Sequence, residues 1–369
     1  MSDPQRPQMS ASTSLVLDAL RLVAALVVVV FHVSSQWTSA YPAMHEVLGK
    51  AAHAAVILFF VISGYVIAFT SAGHDRGPRQ YAVARLSRLY SMLLPALLLT
   101  VLVEVMVMKY DALLVARYVR EHSWLRYGLT AVFCNESGNL SAAPPLNSPL
   151  WSLSYEFWYY TLFGLWHYRA KNRLALIGIA AASFVAGPKI LLMLPIWLGG
   201  VLAFRWPKPG FVAKNTWPLV GLFLVLAEAA GLCLPALPGE LGAPPLYLAA
   251  QFATDWVVGT LVALAVWSLP MAAPMAAPAL TAAAWAKPFR NAANLSFPLY
   301  VLHFPLIVLW RVAFGNRMND LTQMGQAALS VSLVAGLLGV LLERQRHHWV
   351  RLFEGFSHLP GTKRPAGKR

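Results

Sequence analysis

Nine ionisable side chains stand inside stretches that are otherwise apolar enough to cross a bilayer: Asp18, Arg21, His32, Glu104, Glu156, Glu228, Asp255, His303 and Arg311. Such groups are costly in hydrocarbon and by default face a bundle interior or a wet cavity, so each is a candidate for chemistry. Arg21 and His32 are eleven residues apart, close to three helical turns, which puts them on one stripe about 16 Å apart along the axis. Asp18, three residues before Arg21, shares that face and can pair with the guanidinium. A neutral imidazole near pH 7 suits general-base work. A lone helical His is as readily a satisfied core residue, and the stripe shared with Arg21 is what argues for more. Arg85 and Arg88 are three apart, on one face of a helix, and paired guanidiniums suit phosphate through forked donors that keep their charge. Ordinary anchoring at the inner surface also explains that pair. Glu156 lies in the aromatic run Trp151-Ser-Leu-Ser-Tyr155-Glu156-Phe-Trp-Tyr-Tyr160, where a carboxyl must be protonated, paired or wet. Tyr300 and His303 share a face further along the chain.

The elements that must position these groups follow from composition. The chain has 369 residues, 58% hydrophobic and 12% charged, against roughly 45–50% and about 25% in ordinary soluble domains. A soluble enzyme and a disordered chain are both excluded. Apolar windows long enough to cross about 30 Å of hydrocarbon lie near 15–34, 53–72, 91–108, 149–166, 217–234, 246–269, 295–314 and 325–342. The stretch 174–204 is interrupted at Gly187-Pro188-Lys189 and is expected to form two shorter helices with a tight turn. The expected fold is therefore an all-α integral membrane bundle of about ten transmembrane helices. It divides into a cytoplasmic N-terminal segment 1–14, a membrane domain 15–342 and a basic tail 343–369.

The formal charge of +14 comes from loop residues and reads as a topology signal, not as a nucleic-acid surface. With the N-terminus inside, 20 of the 29 Lys and Arg fall in inner segments and eight in outer ones, so both termini are expected in the cytoplasm. The first apolar run has no small-residue cleavage site after it and is expected to be retained. The outer stretch 109–148 is expected to hold a short surface helix and turns, and the Pro-broken 271–285 an interfacial loop. Two cysteines, Cys134 and Cys233, make no metal-binding pattern and at most one disulfide.

Five ordered segments together resemble acyltransferase family 3, a family of integral-membrane acyltransferases, over about residues 14–342. Leu17-Asp18-Ala19-Leu20-Arg21 followed by His32 is similar to the family's L-D-G-L-R opening and R-x10-H motif. Phe59 to Tyr65 resembles its F-F-V-I/L-S-G-F/Y segment, Arg85 and Arg88 its R-x-x-R motif, and Pro149 to Glu156 its P-L-W-S-L-x-x-E signature. Ser296 through Tyr300, with His303 to Pro305, resembles the late S-x-x-L-Y and H-x-P signature. Ala19 replaces the usual Gly, and Ala55-Val56-Ile57-Leu58 lacks the customary Gly and Asp, departures that look like packing changes.

The resemblance implies transfer of an acyl group, commonly acetyl, from cytoplasmic acyl-CoA to a hydroxyl of a carbohydrate or other extracytoplasmic acceptor. It implies the stand-alone form, without a fused hydrolase-like domain, in a bacterial-type inner membrane, with no permanently bound cofactor and no metal. On that basis His32 is the expected general base and Glu156 orients it or an acceptor hydroxyl. Arg21, Arg85 and Arg88 hold the CoA phosphates, and Ser63, Tyr65, Tyr155, Tyr300 and His303 meet the substrates. No base is visibly matched to Ser152 or Ser154, which argues against a covalent serine route. Two other classes remain: a carrier of a sugar or lipid-linked intermediate, and a non-catalytic partner in envelope assembly. A carrier has no need of a phosphate clamp on one face aligned with a base toward the other.

Overall fold

The computed structural model describes residues 9–72, 77–171, 173–270 and 286–356, and among these there is no β-strand. In chain order the helices are α1 (Ala11–Trp37), α2 (Pro42–Ala72), α3 (Pro78–Tyr110), α4 (Ala112–Tyr118) and α5 (Ser123–Ala131). A 3₁₀ turn (Pro145–Leu150) leads into α6 (Trp151–His167), followed by α7 (Ala175–Ala186), α8 (Pro188–Arg205), α9 (Gly210–Lys214) and α10 (Thr216–Cys233). The rest are α11 (Phe252–Ser268), α12 (Ala286–Asn294), α13 (Ser296–Phe314), α14 (Leu321–Arg344) and α15 (Arg346–Phe356). Seven of them, α1, α2, α3, α8, α10, α13 and α14, are long and apolar enough to cross a membrane, and α7 and α11 are shorter apolar helices. The chain is an all-α, multi-pass membrane protein.

The helix ends obey local chemistry. Ser10 caps α1 by accepting from the Thr13 amide at 3.0 Å, and Pro78 opens α3, where its missing amide costs nothing. Asp111 both ends α3 and caps α4 through Leu114 N at 2.9 Å. The break expected in 174–204 falls at Gly187, whose φ of +80° is open to glycine, with Pro188 starting the next helix. The stretch 109–148, expected on the outer side with one short helix, holds two, α4 and α5. The segment 271–285, residues 1–8 with Arg6, the loop residue Arg76, and the end of the tail from residue 357 lie outside the described residues.

Small residues set the tightest packing. A Cβ at Gly64 would lie 2.0 Å from the Trp197 carbonyl oxygen, and one at Gly200 would lie 1.9 Å from that of Val61. The α2 and α8 backbones therefore touch as only glycine allows, the usual device of membrane helix pairs. Helices α1, α2, α3, α6 and α13 pack around one another and carry the functional side chains. Helix α15 lies against α3 through Trp349 and Phe353 on Tyr90. One expectation is corrected: Lys189, counted with the outer loop cations, is fully buried and bonded to Glu136. Cys134 and Cys233 are both free thiols.

Candidate active site

Arg21 of α1, Ser63 of α2, Arg85 and Arg88 of α3, Glu156 of α6 and Tyr300 of α13 line one partly open cavity of about 130 Å³. These groups come from five helices and 280 residues of chain; Arg21, Arg85, Arg88, Glu156 and Tyr300 stand out by residue type and spacing, and Ser63 through the family resemblance. The three-residue spacing of Arg85 and Arg88 does put both on the cavity side of α3.

Contacts hold each cation in place while leaving its hydrogen-bonding groups largely open. Arg21 lies 3.9 Å from Asp18. The Arg85 guanidinium is 5.7 Å and 5.9 Å from the ring centres of Tyr81 and Tyr160, with its Nε buried and without a partner. Arg88 lies 5.4 Å from the ring centre of Phe297. Aromatic faces hold guanidiniums without using up their N–H donors.

Opposite them, Glu156 Oε1 accepts from the Tyr160 hydroxyl and from Ser63 Oγ at 3.3 Å, and Ser63 accepts in turn from Trp197 Nε1 at 3.2 Å. Tyr160 also lines the cavity. It escaped the sequence reading although it follows Glu156 by four residues and so shares its face. Tyr300 donates to the Pro149 carbonyl at 3.1 Å and pairs with Ser152 Oγ at 2.8 Å, which pins α13 to the start of α6.

The imidazoles stand beside this cavity, outside its lining. His32 and His303 face each other with ring centres 5.2 Å apart, and Phe304 and Phe31 enclose His32 at 5.1 Å and 4.9 Å. His303 is fully buried, and its Nδ1 sits 2.7 Å and 3.1 Å from the carbonyl oxygens of Tyr300 and Leu299. A nitrogen facing two carbonyls must carry the proton, so Nε2 holds the free lone pair, and that atom has no partner. Tyr300 links the two parts: it lines the cavity and lies 6.1 Å from His303.

Two expected residues do not join this group. Tyr65 is two positions from Ser63, roughly 200° around the helix, and packs on Phe204 at 5.7 Å. Tyr155, one residue before Glu156, points the other way and is buried among Phe60, Trp151 and Tyr159. Helical geometry gives both positions to the core. Among the described residues, no three His, Cys, Asp or Glu side chains gather as metal ligands would.

The site thus offers three guanidiniums, one of them beside Asp18, with Glu156 as the carboxylate in the cavity lining, adjoining a pair of imidazoles of which His303 is fully buried and presents a bare lone pair. No curated protein and no solved structure matches the chain. A family model described as an acyltransferase domain matches residues 15–342, a stretch that contains every residue of the cavity and the imidazole pair, and the chain therefore belongs to acyltransferase family 3.

Proposed function

We propose that the protein transfers an acyl group, in the simplest case acetyl, from cytoplasmic acyl-CoA to a hydroxyl of a carbohydrate or other acceptor on the far side of the membrane. The observation that carries this reading is the convergence of Arg21, Arg85 and Arg88 on one cavity, with Glu156 in its lining and Asp18 beside Arg21. Three cations against two carboxylates, Glu156 and Asp18, leave positive charge in excess in apolar surroundings, and the CoA phosphates supply several negative charges. The proposed topology has ten spans, the seven long apolar helices with α6, α7 and α11, and both termini in the cytoplasm. This orientation puts the cavity toward the inner side, and it fits a bacterial-type inner membrane.

In this reading the guanidiniums bind the donor's phosphates, and the thin pantetheine arm runs past Tyr300 toward the imidazoles. His32 removes the proton of the acceptor hydroxyl as its oxygen attacks the thioester carbonyl. The tetrahedral intermediate collapses by expelling the CoA thiolate, which takes up the proton, leaving an O-acyl ester and free CoA. Glu156 belongs with the arginines, through Tyr160 and Ser63, and so orders the donor site rather than His32.

The test uses purified protein in detergent, with acetyl-CoA. Wild type and His32→Ala should both be stabilised against heat by acetyl-CoA, while slow CoA release should fall in His32→Ala by about 10²–10⁴-fold in kcat, the usual worth of a general base. Full turnover in His32→Ala would remove the base assignment. Silence of both proteins toward acetyl-CoA and toward longer and charged acyl-CoAs would favour a carrier instead.

A further inference from the structure

One helical turn beyond His32 on α1, about 6 Å along the axis, Gln36 is buried with its side-chain amide engaged from both sides. It donates to the Tyr118 hydroxyl of α4 and accepts from Arg311 Nη1 of α13, and its backbone carbonyl accepts from Asn316 Nδ2 at 2.8 Å. This cluster touches the imidazoles through one ring: Phe304 lies edge-on to His32 at 5.1 Å and to Tyr118 at 5.9 Å. Arg311 Nε and Asn316 Oδ1 are buried and have no partner.

The charge here is unmatched. Among the described residues no carboxylate lies within 4.0 Å of Arg117, Arg311 or Arg317. The two nearby acids are engaged as helix caps: Asp111 on the Leu114 amide at 2.9 Å, and Asp320 on the amides of Thr322 and Gln323 at 3.0 Å. Arg117 reaches the Ser35 carbonyl at 3.4 Å, beside Gln36. In the proposed topology this end of the bundle faces outward, where inner-surface anchoring cannot explain cations. A half-buried guanidinium whose one side-chain partner is a neutral amide retains donors for an anion.

We infer that Gln36, Tyr118, Arg311 and Asn316 form the acceptor subsite, and that the acceptor is anionic: a hydroxyl-bearing sugar or similar molecule with a carboxylate or phosphate about one sugar ring from the hydroxyl presented to His32. This rests on the acyl-transfer reading above and narrows its substrate class. The anion bonds to the Arg311 fork, while the amide of Gln36 and the Tyr118 hydroxyl contact the ring.

The experiment measures CoA release from acetyl-CoA by purified full-length protein, with methyl glucuronide and glucose 6-phosphate as anionic probes and methyl glucoside as the neutral control. In wild type at least one anionic probe should half-saturate at about a tenfold lower concentration than methyl glucoside, as expected of one charge-assisted contact. Arg311→Gln should erase that gap while acetyl-CoA stabilises the variant as it does wild type. Tyr118→Phe, which keeps the ring on Phe304, should weaken the preferred probe by a few fold. Equal half-saturation by charged and neutral probes in wild type, no response to either anionic probe, or a preference unchanged in both variants overturns the subsite. Absence of stabilisation by acetyl-CoA in wild type overturns the donor reading itself, a result distinct from the first three.

Discussion

In the cavity, Arg21, Arg85 and Arg88 share space with Glu156; Asp18 lies beside Arg21, and Arg85 and Arg88 rest on aromatic faces. At two other places in the same bundle, buried ionisable groups stand in matched pairs. Lys189 Nζ lies 2.8 Å from Glu136, with side chains 0% and 1% exposed, and it also reaches the Leu140 carbonyl and the Tyr247 ring. His53 Nε2 lies 3.0 Å from both carboxylate oxygens of Asp255, which Gln251 supports at 2.9 Å. A matched pair satisfies itself and ties elements together, here α8 to the loop before the 3₁₀ turn, and α2 to α11. An unmatched cluster facing empty space is satisfied only by something that enters. The difference separates architecture from function by stoichiometry of charge, without appeal to depth or burial.

The comparison breaks first at Lys189. Removing one member of a buried pair strands the other charge, and the cost is typically 3–5 kcal/mol. Lys189→Met should therefore lower stability by about that much in thermal or denaturant unfolding in detergent, and Lys189→Met with Glu136→Gln should recover part of it. A single variant as stable as wild type would show that the pair is not architectural. In the cavity the expectation reverses. Arg85→Gln or Arg88→Gln should raise the KM for acetyl-CoA by about tenfold or more, one charge-assisted contact being worth about 1.5–3 kcal/mol. Melting temperature without donor should stay level or rise, since like charges have been thinned. A variant that lost stability and kept its KM would place that arginine with the matched pairs.

The same contrast explains what could be read from the chain. Arg21, Arg85, Arg88, Glu156 and Tyr300 were legible because each lies in a segment whose apolar neighbours make a polar residue conspicuous, and helical spacing fixes which of them share a face; Ser63 was legible only through its family motif. The apolar windows located the helices for the same reason, although α2 and α3 begin 11 and 13 residues before the windows 53–72 and 91–108, and the break at Gly187-Pro188 is local chemistry. The matched pairs were not legible. His53 stands 202 residues from Asp255, and Lys189 reads as a loop cation until Glu136, 53 residues earlier, folds against it. Pairing across such separations is decided by tertiary packing. Tyr65 and Tyr155 show the converse error: they sit inside the right motifs but one or two positions off the face that lines the cavity.

Tyr155 gives the finest test, because its hydroxyl is a single neutral unmatched group. The side chain is fully buried against Phe60 and Trp151, and its oxygen has no partner. If it is core, Tyr155→Phe removes a desolvated hydroxyl at no structural loss, and stability should hold or rise by about 1 kcal/mol while kcat and KM stay at wild-type values. Tyr160→Phe is the matched control, since that hydroxyl donates to Glu156 inside the cavity. Its loss frees the carboxylate to draw a guanidinium away from the donor, which should raise the acetyl-CoA KM by a few fold, less than loss of an arginine. Lowered kcat in Tyr155→Phe with wild-type stability would mean that its hydroxyl meets substrate after all. An unpartnered buried polar group would then mark function in this bundle even where it faces no empty space, and the rule drawn from charge alone would have to include it.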